Sequence, residues 1–326
     1  MLDYINKIKL QLYLKKLYND NLKNSFSVYS NAPDSLNFAY PDFSVQYFIL
    51  SLEANKEIIL SGKIPRDKIK YFSISLYDIK GKIFFSKNDE EISTNYKIKI
   101  KPPKICCLII RFYKKNKYIK DNFIKYLPNI FPERKILDNT DIIKNNIKIE
   151  NVLIKNISKQ NISLKQSLLL DKFFLPKLDN YASLFINYDA KYLAAFASSD
   201  IAKVSLKKYI LNKNIRFIGF MACNYLTTET DDSISLDNKK SNIIIWFCYK
   251  KDKKKLYKFG MKKSDKVICW NDNNNYPILI FRQVNTKNSD LNKIKNDNKK
   301  YTEKELKIIL GDSYPEITYF GNKLFI

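Results

Sequence analysis

Two stretches of this chain repeat the same order of hydrophobic runs and polar turns, and this repeat constrains the fold more than any other feature. The first stretch runs from Tyr47 to Asp78 and the second from Tyr192 to Asn224. The offset is 145 residues at the start and 146 at the end, so one inserted residue aligns them. Each contains an aromatic run, a polar turn, a second run, a basic loop and a third run. The repeat predicts two related halves.

The repeated runs have the composition of strands. They are short, rich in β-branched and aromatic residues, and separated by turn residues over 45–113 and again after residue 182. Strict alternation over Tyr96–Lys101 indicates a half-exposed strand, and Asp78–Lys82 indicates a hairpin turn with Gly81 at positive φ. The predicted fold class is mainly β, with two related jelly-roll-like β-sandwich halves and short N-terminal, linker and C-terminal helices.

Helical and polar segments flank the two halves. Residues 4–18 and 163–174 have helical spacing, and Thr302 with Glu305 forms a capping box before a short helix that Gly311 ends. The predicted organisation is an N-terminal helix (1–30), a first sandwich half (31–135), a linker with a helix (136–180), a second sandwich half (181–290), and a mobile linker, short helix and closing segment (291–326).

Arginine is rare here, and two of the five arginines occupy equivalent places. Arg111 and Arg282 lie in the matching last strands of the two halves. A planar guanidinium pairs with a carboxylate in partly buried sites where lysine fits poorly. One interpretation is a ligand site for an anion; the other is a structural ion pair at a sandwich edge. The candidate ligand-binding residues are Arg111, Arg282, Asp78 and Tyr77.

Each arginine has an expected carboxylate partner in its own half. Asp78 is the expected partner of Arg111. Asp231 or Asp232 is the expected partner of Arg282.

The net charge of +25 favours a polyanionic partner such as nucleic acid or an anionic membrane. The alternative is an AT-rich genome, because the basic excess is almost entirely lysine in a chain also rich in Asn and Ile. The densest basic segment, 248–263, is predicted to be a lysine-rich hairpin interleaved with aromatic residues that could bind single strands. The candidate polyanion-binding residues are Lys250, Lys251, Lys253, Lys254, Lys255 and Tyr257.

The chain contains no histidine, which excludes Ser-His-Asp and Cys-His catalysis and imidazole metal sites. Five cysteines without C-x-x-C spacing indicate free, buried thiols, and no glycine-rich nucleotide motif is present, so no metal and no cofactor is predicted. Acid–base chemistry of the glycosidase type would fall to carboxylates. The candidates are Asp78, Asp89, Glu90, Glu91, Asp231 and Asp232.

The sequence shows no transmembrane segment and no classical signal peptide. No run approaches 18 apolar residues, and lysines interrupt the N-terminal apolar residues. The expected location is intracellular, which means the host cytoplasm or the virion if the protein is viral.

Several short motifs, taken in order, resemble the bacterial and large-DNA-virus proteins of the domain-of-unknown-function 1254/1214 type. The first half carries that family's glycine–proline, tyrosine–aspartate, arginine and leucine–proline elements at Gly62, Pro65, Tyr71, Ser73, Tyr77, Asp78, Gly81, Arg111, Tyr113, Leu127 and Pro128. The second half carries its counterparts at Asn187, Asp189, Tyr192, Arg216, Phe217, Cys223, Trp270, Leu279–Arg282 and Tyr314–Phe320. Gly219 stands where that family has serine. The resemblance implies jelly-roll-like halves and no particular activity.

Three functions remain open from the sequence. The first is a non-enzymatic structural or interaction protein with protein partners, as a virion or accessory protein of a large DNA virus. The second is a carbohydrate-binding or carbohydrate-active sandwich. The third is a lysine-rich nucleic-acid-binding protein, and weak non-specific polyanion binding accompanies any of the three.

Overall fold

The fold is described from a computed structural model of the chain. The residues described are 27–29, 42–53, 57–78, 83–102, 105–115, 123–131, 173, 187, 189–209, 215–224, 229–236, 240–285 and 301–324. Within these ranges most of the chain is strand, with one α-helix and three short 3₁₀ helices. The predicted fold class, mainly β, is therefore confirmed. No helix in these ranges has both the length and the apolar character needed to cross a membrane.

The chain divides into two compact units, of which the first comprises Met1–Gln160 and Ser183–Tyr188. Its elements are β1 (Ser27–Tyr29), β2 (Val45–Glu53), β3 (Ile58–Lys63), β4 (Ile69–Asp78), β5 (Ile83–Asn88), β6 (Asn95–Ile100), β7 (Ile105–Lys114), the 3₁₀ helix η1 (Phe123–Tyr126) and β8 (Asn129–Phe131). One antiparallel sheet has the order β1-β2-β7-β4-β5, and a second has the order β6-β3-β8.

The two sheets of the first unit share one core, as a β-sandwich requires. Leu108, Ile110 and Phe112 of β7 alternate along one face and join Leu60 of β3 and Tyr96 of β6 in a single cluster. Consecutive strands cross repeatedly from one sheet to the other, as in jelly rolls.

The second unit comprises Asn161–Ala182 and Asp189–Ile326. Its elements are β9 (Ala190–Phe196), β10 (Ser199–Tyr209), β11 (Ile215–Asn224), β12 (Thr230–Ser235), β13 (Lys240–Tyr249), the 3₁₀ helix η2 (Lys250–Phe259), β14 (Lys266–Trp270), β15 (Pro277–Asn285), the helix α1 (Glu303–Leu310), the 3₁₀ helix η3 (Gly311–Ser313) and β16 (Glu316–Lys323). One sheet has the order β12-β11-β15-β9, and the other has the order β14-β13-β10-β16.

Side chains from both of these sheets and from α1 form one core. Phe220 and Phe281 lie with their ring centroids 5.0 Å apart, and Leu306 of α1 packs into the same cluster. The capping box of α1 is present as predicted: the Glu305 amide donates to the Thr302 hydroxyl, and the Thr302 amide donates to the Glu305 carboxylate. Gly311 ends the helix at a φ of 51°, as expected.

The two units have the same strand connectivity. In the first, β2, β7, β4 and β5 are neighbours in that order; in the second, β9, β15, β11 and β12 are. Likewise β3 pairs with β6 and β8, while β10 pairs with β13 and β16. The second unit adds η2 and β14 between β13 and β15. The only parallel pairing between described strands is β13 with β14.

The register of these strands agrees with the alignment made from the sequence. Arg111 pairs with Tyr47 on one side and Ser73 on the other. Arg282 pairs with Tyr192 and Gly219, which are the residues that the alignment places opposite Tyr47 and Ser73.

Several predictions are corrected or fall outside the described residues. The segment 248–263, predicted as a hairpin, is the end of β13, then η2 and a turn. The polar strand β12 was not predicted, because its serines and aspartates lack a strand composition. The closing segment belongs to the second unit as α1 and β16. The predicted helices at 4–18 and 163–174, apart from Phe173, lie outside the described residues, as do the turn at Gly81 and the first residues of the mobile linker predicted from residue 291.

Candidate functional sites

Arg111 lies on the face of its sheet opposite the sandwich core, and it is buried. The guanidinium is 1% exposed. Its Nη1 donates to Ser75 Oγ over 3.1 Å, its Nη2 donates to Tyr77 Oη over 2.8 Å, and its Cζ lies 5.6 Å from the centre of the Tyr77 ring. Two of the candidate ligand-binding residues, Arg111 and Tyr77, are therefore in direct contact. Burial at 1% argues against an open ligand site at Arg111.

A second polar contact lies on the same face of this sheet. The rings of Tyr71 and Tyr113 meet edge to face, with centroids 5.0 Å apart. Asn187, which belongs to the first unit although it follows the linker, accepts from Tyr71 Oη at 3.3 Å and donates to Tyr113 Oη at 3.1 Å. All three side chains are buried, so Asn187 anchors the returning chain to β4 and β7.

Arg282 occupies the equivalent position in the second unit and is 2% exposed. Its Cζ lies 5.3 Å from the centre of the Tyr192 ring, its neighbour on β9. The alignment places Cys223 where the first unit has Tyr77, so the second guanidinium has no aromatic ring at that position. This explains why the two arginines contact different tyrosines although their backbones are equivalent.

The expected ion pairs of these arginines are not supported. Asp78 pairs with Cys106, five residues along β7 from Arg111, which is roughly 16 Å along the strand. Asp231 and Asp232 lie on β12, and β11 separates that strand from Arg282 on β15. These ion-pair predictions were wrong because the sequence does not show which strands become neighbours.

The two β12 carboxylates instead fix the loop after β14. Asp231 accepts from Asn271 at 2.5 Å and from Asn274 at 2.6 Å. Asp232 accepts from the Cys269 amide at 3.0 Å. Burial raises the pKa of Asp231, while the hydrogen bonds from the two asparagines oppose that shift. Both carboxylates bind groups of their own unit, which does not favour a role in sugar hydrolysis.

The run Asp89–Glu91, which supplies three of the candidate acid–base carboxylates, is partly buried. Asp89 is 3% exposed and accepts from the Phe72 amide at 3.2 Å. The Arg66 guanidinium lies 3.6 Å from the Asp89 carboxylate and donates to the backbone carbonyls of Asp89 and Ile92. Asp89 therefore anchors this turn, while Glu90 and Glu91 remain at the surface.

The predicted polyanion residues lie together on η2 and its flanks. The lysines of η2 are exposed, while Asp252 and Leu256 are buried beneath them. Leu256 packs with Ile201, Trp246, Cys248 and Cys269 on the face of the sheet that η2 covers. We name the exposed part the lysine surface; it consists of Lys250, Lys251, Lys253, Lys254, Lys255, Tyr257, Lys258, Phe259, Lys262 and Lys263.

Four members of the lysine surface were left out of the sequence-based selection. Lys258, Lys262, Lys263 and Phe259 extend the surface beyond the six predicted residues. A signal was available in the sequence, because Asp252, Leu256 and Phe259 follow one another at helical spacing before a glycine. The abundance of Lys and Tyr suggested a hairpin instead.

Two other expectations concern metal and thiol chemistry. In the part of the chain that the structure describes, no three or more carboxylate or thiol side chains are grouped so that they could hold a metal ion. Cys106, Cys223, Cys248 and Cys269 are free and buried, as predicted.

Comparisons with known proteins bear on the fold. No family model matches the chain, and no curated protein matches it, so the domain-of-unknown-function 1254/1214 resemblance stays a prediction. An uncharacterized protein from Burkholderia cenocepacia has a similar crystal structure, with a TM-score of 0.59 and 10% identity over 85% of each chain. That likeness shows a shared fold alone. The VPA0106 protein from Vibrio parahaemolyticus aligns over 98% of each chain with a TM-score of 0.41 and 9% identity.

Proposed function

We propose that this protein is a non-enzymatic interaction protein and that its lysine surface binds single-stranded nucleic acid. The observation that carries the proposal is the arrangement of η2, which exposes its lysines beside Tyr257 and buries its single carboxylate.

The charge of the lysine surface suits a phosphate backbone. Residues 250–263 contain eight lysines and one acidic residue, Asp252. Asp252 is 3% exposed and lies 2.6 Å from Lys255 Nζ, so the ion pair with Lys255 neutralises its charge. The hydrogen bond to Asp252 raises the pKa of Lys255, which keeps that lysine protonated. Clustered ammonium groups bind phosphates and release counterions.

The lysine surface is held in place by packing. Leu256 is fully buried, and Gly260 ends η2 at a φ of 88°, where its amide donates back to Tyr257. Asp265 accepts from the Trp246 indole and from the Lys262 amide, both at 2.9 Å, and so ties the turn after η2 to β13. A charged surface on a fixed element loses less conformational entropy on binding.

Exposed aromatic rings favour a single strand over a duplex. Tyr257 is 62% exposed, and Phe259 is 37% exposed with its ring centroid 5.5 Å from that of Phe320. Bases of a single strand are free to stack on such rings, with about 1–3 kcal/mol per base. Reading of duplex base edges relies largely on arginine, and none lies within 250–263.

Fluorescence anisotropy with labelled oligonucleotides tests the proposal. The ligands are a single-stranded oligothymidine, a duplex of equal length and heparin, each measured over a series of salt concentrations. We expect the single strand to bind tightest, with a slope of log K against log salt of about −0.7 per phosphate contacted. Replacing Lys250, Lys251 and Lys254 by glutamine should flatten the slope, and Tyr257→Ala should weaken binding about tenfold.

Matched variants in the first unit supply the controls. Lys97, Lys99 and Lys101 are exposed on or beside β6, so their replacement by glutamine changes the net charge equally. Phe131 is 64% exposed, so Phe131→Ala matches the loss of an exposed ring. The proposal is wrong if heparin and the single strand bind alike and both lose affinity by moderate salt. Equal effects of the two lysine triplets would contradict it as well.

We also propose that the two units arose by duplication of one sandwich. The support is the shared connectivity together with the equivalent cross-strand triplets Tyr47–Arg111–Ser73 and Tyr192–Arg282–Gly219. A superposition of 47–113 on 192–284 that failed to bring these triplets together would contradict it.

A further inference from the structure

Two cysteines lie opposite each other on the parallel strands β13 and β14. Cys248 and Cys269 are register partners, and their Sγ atoms are 4.0 Å apart. Both are free thiols; Cys248 is fully buried and Cys269 is 8% exposed. No sequence spacing rule indicated this pair, because 20 residues including η2 separate them.

The backbone geometry of the pair permits a disulfide. Neighbouring strands lie about 4.7–4.9 Å apart, which falls within the range of about 4.4–6.8 Å between the Cα atoms of bridged cysteines. The sulfur atoms would have to approach by about 2 Å, because an S–S bond is about 2.05 Å long. Rotations of roughly 35° about each χ1 would supply this displacement, and they take both side chains away from staggered rotamers.

The two thiols differ in reactivity. The hydrogen bond with Cys248 lowers the pKa of Cys269; burial and the nearby charge of Asp232 oppose that shift, and the charges of Lys253 and Lys250 assist it. The same hydrogen bond, together with burial, raises the pKa of Cys248. Cys269 is therefore the better nucleophile and also the one with some exposure, so it would react first.

We propose that Cys248 and Cys269 form a reversible intramolecular disulfide when the protein meets hydrogen peroxide. The Cys269 thiolate attacks a peroxide oxygen, the O–O bond breaks, and hydroxide leaves as a sulfenic acid forms. Cys248 Sγ then attacks Cys269 Sγ, so the S–S bond forms, the S–O bond breaks and water leaves. The two thiols lose two electrons, and the peroxide is reduced to two waters.

The disulfide would close a loop that contains the whole of η2. Among the described strands, β14 lies at the edge of its sheet and pairs with β13 alone, so a covalent bond would fix this edge strand to its neighbour. Oxidation would thus restrain the connection that carries the lysine surface. The proposed disulfide stands on the cysteine geometry and does not depend on nucleic-acid binding.

Peptide mapping of the full chain tests this inference. The reduced protein is treated with hydrogen peroxide, denatured, alkylated with iodoacetamide and digested with trypsin without reduction. Trypsin places Cys248 in peptide 241–250, Cys269 in peptide 267–282 and Cys223 in peptide 217–239. We expect 241–250 joined to 267–282, two hydrogens lighter than the separate peptides, and separated again by dithiothreitol. Peptide 217–239 should remain alkylated.

Cysteine-to-serine variants show which two cysteines form the disulfide. Cys248→Ser and Cys269→Ser should each abolish the joined peptide, whereas Cys223→Ser should keep it. If a serine variant does not fold, the peptide map of the wild-type protein alone shows whether the Cys248–Cys269 disulfide forms. Full alkylation of both cysteines after peroxide would overturn the inference. Cys269 sulfinic acid as the sole product, or a link between two copies of one peptide, would overturn it too.

Discussion

Gly62 on β3 offers a direct test of how tightly the first sandwich is packed. It pairs with Tyr96 on β6, and a Cβ at position 62 would lie 2.7 Å from Tyr96 Oη and 2.9 Å from Cζ. Tyr96 is 5% exposed, and burial raises the pKa of its hydroxyl. The hydroxyl has no hydrogen-bond partner among the described residues. The substitution Gly62→Ala must therefore displace a buried ring.

The expected change in the free energy of unfolding is the sum of two opposing contributions. Overpacking a core costs about 1–3 kcal/mol, and alanine recovers about 0.5–1 kcal/mol because glycine weakens a strand. The net expectation is that Gly62→Ala lowers the free energy of unfolding by about 1–2 kcal/mol. Tyr96→Phe removes a buried, unsatisfied hydroxyl and should raise that free energy by about 1 kcal/mol. In the double variant the Oη contact is gone while the Cζ contact remains, so about half of the glycine penalty should persist.

A double-mutant cycle over these four proteins measures the coupling. Urea unfolding is followed by far-UV circular dichroism, while tryptophan fluorescence reports on the second unit, which holds both Trp246 and Trp270. We expect a coupling energy of about 1 kcal/mol between Gly62 and Tyr96. Additivity within about 0.5 kcal/mol would refute the reasoning, as would a Gly62→Ala protein more stable than wild type.

Three further predictions concern the second unit. Burial raises the pKa of Tyr249 to about 12, so the stability that its protonated hydroxyl contributes below pH 10 should be lost as the pH rises through 12. Tyr249→Phe should reduce this loss in alkaline unfolding followed by tryptophan fluorescence. An unchanged unfolding profile would contradict the prediction. Leu256→Ala should cost about 2–5 kcal/mol and red-shift tryptophan emission, since Leu256 packs on Trp246; unaltered emission and urea midpoint would argue against this packing. Thr302→Ala should cost about 1 kcal/mol and speed amide exchange in α1, whereas unchanged exchange would show that the capping box contributes little.

The existence of most strands in each half was predictable. Alternation at Tyr96–Lys101 reappears as β6, and the aligned positions Tyr47 and Tyr192 occupy equivalent places beside Arg111 and Arg282. Period-2 patterning is a local property, and a repeated pattern preserves register because a slip by one residue would exchange the buried and exposed faces. Such features can therefore be read from the sequence.

The side-chain partners could not be predicted. Arg111 contacts Ser75 and Tyr77 instead of Asp78, and Asp231 contacts asparagines 40 and 43 residues away. These contacts depend on which strands become neighbours. The hairpin prediction for the lysine-rich segment was wrong for another reason. Leu256 packs on the sheet face beneath η2, and this tertiary packing favours the 3₁₀ helix over a hairpin.

The sequence by itself determined a mainly β chain with a repeated pattern of strands, since hydrophobic period and turn residues act over a few positions. Only the tertiary structure decided the surroundings of Arg111 and Arg282, the exposure of the lysine surface and the approach of Cys248 to Cys269. Each of these joins residues distant along the chain, and their proximity is set by the order of strands in the sheets, which local pattern does not encode.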